Sequence, residues 1–128
     1  MRDLPMQFFR TAAVMLVLGM CLGLYMAIRQ DFTLMPVHAH INVVGGLLIF
    51  LIGLYYRAHP EAARGPLPKL QYWLFLAGIL TMALSLGMLL SNGDPVWGPV
   101  IGASGILLLL AMLLFAVSVF RTRTPVQV

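Results

Sequence analysis

The residues of this chain that could do chemistry stand together. His38, His40 and Asn42 open the run Met35-Pro36-Val37-His38-Ala39-His40-Ile41-Asn42-Val43-Val44-Gly45-Gly46, which is otherwise apolar. A neutral imidazole is a good ligand for iron, copper or zinc, and a polar ring is costly in hydrocarbon. The pair therefore implies either metal ligation or hydrogen bonding between helices. Residues two apart on an α-helix point about 200° from each other. On a regular helix His38 and His40 thus serve opposite sides and cannot grip one ion together. Beside His38 lie Asn42, Gly45, Gly46, Ile49 and Gly53, a face cut away by glycine with room for a flat macrocycle or another helix. Beside His40 lie Val43, Val44, Leu47 and Leu51, an apolar wall.

The elements carrying these residues must be membrane spans. The chain has 128 residues, of which 61% are hydrophobic and 9% charged, and a mean hydropathy of +0.95. That is more apolar surface than one water-soluble core of this size can hide. Four apolar stretches, at about Phe8 to Ile28, Pro36 to Tyr56, Leu70 to Leu90 and Val96 to Phe120, match the roughly 20 helical residues that cross about 30 Å of hydrocarbon. Only Arg10 places a charge inside one of them. Helices are expected because an open sheet edge cannot be satisfied in lipid and the stretches lack the alternation of barrel strands. The fold class expected is an all-α membrane protein, one four-helix transmembrane bundle over residues 1–128. Short polar, glycine- and proline-bearing turns join the spans and leave no room for a second domain.

The basic residues assign a direction. Arg2 and Arg10 lie at the amino end, Arg57, Arg64 and Lys69 follow the second span, and Arg121 and Arg123 follow the fourth, leaving Arg29 alone in the first loop. The bias of Lys and Arg toward the cytoplasm predicts both termini and the second loop inside. The net charge of +4 is then a topology signal, and nothing in it calls for nucleic acid. A basic start before an apolar run resembles a secretory signal, but the run is span-length without a small-residue cleavage pattern, so it is expected to be retained. His38 and His40 fall in the first turns of the second span, near the outer edge, with Pro36 suited to a first helical position. The lone Cys21 sits mid-span and is expected only to pack.

A small cation with four ligands needs convergent donors, and the remaining histidine, His59, lies across the membrane. Zinc is disfavoured on that ground. Copper stays open through outer methionines such as Met26 and Met35. Haem needs only one or two axial ligands and accepts apolar walls. No Cys-x-x-Cys-His occurs, so a haem would be non-covalent, of b type. Because the imidazoles diverge, a second axial ligand would come from another subunit, from a methionine, or be absent.

The segment Val37 to Gly46 resembles the histidine-bearing helices in the catalytic subunit of haem-copper oxidases, notably the helix whose His-x-His serves two haems from its two faces. The chain as a whole looks like small four-span proteins similar to that subunit, which itself has twelve spans in three sets of four. The resemblance implies a homotrimer of twelve helices in which each iron takes His38 from one chain and His40 from the next, as a closed ring of heterologous contacts permits. A two-fold dimer sharing one central haem is the alternative. The chain lacks the further histidines of that family's copper site, so electron transfer is expected and oxygen reduction is not.

The function expected is therefore a haem b-binding cytochrome of a bacterial inner membrane, in lipid, exchanging electrons with a quinol or a periplasmic carrier. Two other classes stay open, a copper-handling membrane protein and a structural accessory subunit of a respiratory complex. Asn42 is a candidate hydrogen-bonding partner for His38, and Arg29 a candidate partner for haem propionates or a snorkelling interface residue. Trp73, Trp97 and Tyr56 are expected as interface anchors, His59 as solvated. Gly19 and Gly23, like Gly98 and Gly102, have the spacing for close helix packing within or between subunits.

Overall fold

Residues 3–123 are described by the structure, a computed structural model; Arg2 of the topology argument lies outside them. Four helices long and apolar enough to cross a membrane follow one another: α1, Leu4–Arg29; α2, Met35–Ala58; α3, Pro66–Asn92; and α4, Trp97–Arg121. The first three contain the apolar stretch expected for them, the fourth starts one residue after the expected Val96, and no strand occurs among the described residues. The ends obey local chemistry. Asp3 caps α1 by accepting the Met6 amide at 3.2 Å, and Pro5 and Pro36 sit in first turns, where no amide hydrogen is missed. Gly93, at φ +68°, closes α3 in the left-handed conformation that glycine adopts without strain.

One feature departs from the regular helix assumed in the sequence. Within α2, Met35–Ala39 and Ile49–Ala58 are α-helical, but His40–Leu48 is a π-helix. Such wide turns are rare and concentrate at functional sites. Two local causes are visible. Asn42 Nδ2 donates to the His38 carbonyl at 3.0 Å, competing for the acceptor that an α-helical amide at position 42 would use. Gly45 and Gly46 then follow, the weakest helix formers after proline.

The helices run antiparallel, and cross-links at one end fix this. Asp3 pairs with Arg57 at 3.7 Å, Thr11 shares a 2.8 Å hydrogen bond with Tyr72, and Tyr55 donates to Thr122 at 2.6 Å. The start of α1, the second loop and the end of α4 therefore share what we call the basic end. The core lies toward it, where Phe8 meets Tyr72 edge-on at 5.2 Å between centroids and Tyr56 meets Phe115 at 6.1 Å. Such close aromatic packing matters in lipid, where burial of apolar surface between helices gains little. Tyr56 is wholly buried, so it is a core residue and not the interface anchor expected from its place near a span end. Cys21 is exposed on the outside of α1 and packs against nothing in the core, contrary to the expectation for it.

Candidate functional site

The glycine stripe of α2 is used for helix packing. Gly45, Gly46, Ile49, Ile52 and Gly53 are all buried. A Cβ on Gly45 would lie 3.2 Å from Met15, and one on Gly53 would lie 2.9 Å from Phe8. Of the two occupants the stripe could receive, a macrocycle or a neighbouring helix, α1 is the one present. Reciprocally, Gly19 and Gly23 of α1 admit the polar residues of α2: a Cβ on Gly23 would stand 2.7 Å from the His38 ring, and one on Gly19 would overlap Asn42. The glycine pair of α1 thus works within the subunit, whereas Gly98 and Gly102 of α4 face open space.

His38 is half-buried and turned toward α1. Its Nδ1 donates to the Gly19 carbonyl at 2.7 Å, which places the ring lone pair on Nε2. Asn42 Nδ2 donates to the His38 carbonyl and lies against the His38 ring, 3.1 Å from Nδ1 and 3.4 Å from Nε2, off the line of the Nε2 lone pair. His40 points away from α1. Its Nδ1 donates to the Pro36 carbonyl at 2.7 Å, and its Nε2 has no hydrogen-bond partner. Both rings show the arrangement common to metal-bound histidines, one nitrogen tied to a backbone carbonyl and the other carrying the lone pair. What separates them is cover: the His38 ring lies against Gly23 of α1, whereas the apolar residues on the side of His40 are exposed.

The face around His40 is open. Val43, Leu47 and Leu51 are each about half exposed, at 56%, 54% and 50%. Arg29 is exposed in the last turn of α1, about 9 Å along the axis from Gly23 at 1.5 Å per residue, with no hydrogen bond or ion pair to either histidine. Beyond it, the carboxylate of Asp31 accepts from the Thr33 hydroxyl at 2.6 Å and the Thr33 amide at 3.0 Å. These bonds hold its pKa below the ordinary carboxylate value. Met26 is buried and Met35 exposed. Among the described residues no three of His, Cys, Asp and Glu converge as metal ligands.

Two further features were not visible in the sequence. The Tyr56 hydroxyl donates to Gln71 Oε1 and pairs with the Ser118 hydroxyl at 3.2 Å, joining α2 to α3 and α4 in the buried interior. His59, expected to be solvated, stacks on Tyr55 at 4.5 Å and bonds its carbonyl at 3.1 Å. Neither Gln71 nor Ser118 carried a signal, because a single polar residue in an apolar span does not reveal its partner.

No protein family, curated protein or solved structure matches the chain.

A porphyrin requires of the chain an imidazole with a free lone pair and an apolar wall. His40 with Val43, Leu47 and Leu51 fits both requirements, on an outward face that a second subunit could complete. The glycine stripe does not fit, because α1 fills it.

Proposed function

We propose that this chain is a haem b-binding membrane cytochrome that transfers electrons, with iron ligated at His40 Nε2. The observation that carries the reading is the His40 ring, anchored through Nδ1 to the Pro36 carbonyl with its lone pair unpartnered on an exposed apolar face. The Pro36 contact fixes the tautomer. Val43, Leu47 and Leu51 would exclude water from one side of the macrocycle, and a neighbouring subunit would cover the other. In this reading His38 of that neighbour would hold the iron as well, through Nε2, while its Nδ1 keeps the bond to Gly19. The assembly proposed is a homotrimer in a bacterial cytoplasmic membrane, both termini inside and the histidines near the outer face, where a quinol or periplasmic carrier could approach. When bound, the haem supplies the one-electron couple; two imidazole ligands leave it no open coordination position.

A second reading has its own support. The His38 bond to Gly19 is what an interhelical polar contact looks like in a bundle with no cofactor. On that reading the chain is a structural accessory subunit.

Optical and paramagnetic-resonance spectra of protein purified from haem-replete cells test the proposal, with His38→Ala and His40→Ala alongside and helix content followed by circular dichroism. A Soret band with a low-spin signal, lost in both variants while helicity is kept, is expected. Colourless wild-type protein would overturn the proposal in favour of the accessory subunit. Loss in His40→Ala alone would leave His40 as ligand and remove the shared pair.

A further inference from the structure

At the basic end, two clefts adjoin between the second loop and the helix ends. One, of about 590 Å³, is lined by Arg57, Arg64, Lys69 and Tyr56, with Asp3 on its rim. The other, of about 840 Å³, is lined by Arg64, Arg121, Ser118 and Glu61 among others. Arg64 borders both. Among the described residues the one ion pair joins Arg57 to Asp3, so Arg64, Lys69 and Arg121 face these clefts without a bonded carboxylate. The lower walls are polar in a particular sense. Tyr56, from the first cleft, and Ser118, from the second, meet behind them in a buried network with Gln71, which lines neither cleft. Gly65, at φ +88°, opens α3 with no side-chain cap and no acidic residue in its first turn, so the positive end of that helix adds to the same field.

We infer that these clefts hold the phosphate headgroup of an anionic phospholipid such as phosphatidylglycerol, with Arg64 and Lys69 as its principal contacts. The clefts begin where the apolar spans end, at headgroup depth. They offer a surplus of cations, Arg57, Arg64, Lys69 and Arg121, over the carboxylates Asp3 and Glu61, which favours a headgroup of net negative charge over a zwitterionic one. Basic pockets between spans on one side of a membrane recognise anionic lipids in this manner. The site is separate from His38 and His40, at the opposite end of the bundle, and stands whether or not haem binds there.

Trp73 provides the probe, being exposed and one turn beyond Lys69 on α3. In a Trp97→Phe background, Trp73 fluorescence is measured in vesicles of phosphatidylcholine containing a small fraction of either brominated phosphatidylglycerol or brominated phosphatidylcholine. Stronger quenching by the anionic lipid is expected. Arg64→Gln and Lys69→Gln should each weaken the preference about fivefold, from roughly 1 kcal/mol per basic residue near a charged surface, and Arg29→Gln at the other end should leave it unchanged. Equal quenching by the two lipids, or a preference that survives the double variant Arg64→Gln/Lys69→Gln, would overturn the assignment. Abolition of the preference by millimolar inorganic phosphate would show a site for soluble anions and would overturn it as well.

Discussion

At the scale of single residues, the glycines of α1 and α4 make a paired test. A Cβ at Gly19 or Gly23 meets Asn42 or His38, whereas one at Gly98 or Gly102 meets nothing. Gly19→Val should therefore destabilise the bundle by about 1–3 kcal/mol through overpacking, read as a lower midpoint of thermal unfolding in micelles, while Gly98→Val should leave that midpoint in place. Asp31 offers a second test. The folded chain holds its pKa down through the Thr33 hydroxyl and amide, so the folded state binds its proton less readily than the unfolded state does. The stabilisation is present above the unfolded value and fades as pH falls through the lowered folded value. In a nuclear magnetic resonance titration, Thr33→Val should move the Asp31 midpoint upward toward the ordinary carboxylate range, and an unchanged midpoint would remove the hydrogen bonds as its cause. The candidate ligands His38 and His40 were legible from the sequence because two imidazoles in an apolar span stand out against everything around them. Which of them is tied to α1 was not, since that depends on the Gly19 carbonyl and the space at Gly23, both on another helix.

At the scale of the element, the question is what bends α2 out of the α-helical ladder. Its buried stripe follows the spacing expected of a helix, but the π-helical stretch His40–Leu48 was not legible, because propensity scales describe α-helix and not its wider relative. If the Asn42 side chain competes for the His38 carbonyl, Asn42→Leu should shorten the π-helical stretch. Backbone carbon chemical shifts of residues 40–48 would move toward α-helical values, and their persistence would assign the π-helix to Gly45 and Gly46 instead. Tyr56 ties three helices through Gln71 and Ser118. Tyr56→Phe leaves two buried polar groups short of a partner, and it should lower stability by about 1 kcal/mol, in keeping with the modest worth of hydrogen bonds in membrane bundles. Denaturation in a mixed-micelle titration measures that loss.

For the whole molecule, α4 is the least covered span, with 11% of its central window buried within the subunit, and α2 leaves its His40 face open. In the proposed trimer a neighbour covers that face. Val43→Trp introduces bulk that lipid accommodates readily, and a packed interface does not. The variant should run as a monomer where the wild type runs as an oligomer in mild detergent by light scattering; an unaltered oligomer would place the interface elsewhere or leave the face to lipid.

The sequence by itself determined that there are four spans, where each lies to within about a helical turn, and which residues could bind metal. These follow from local quantities, namely runs of apolar side chains, turn residues and isolated polar groups whose cost in hydrocarbon does not depend on the fold. The tertiary structure alone decided that the glycine stripe of α2 receives α1, that His38 is bonded across to Gly19 while His40 is not, and that Tyr56, Gln71 and Ser118 meet. Each of these is a contact between helices distant in the chain. Between lipid-facing helices such contacts are selected by shape and by the pairing of polar atoms, and no periodicity along one helix records the shape of its neighbour.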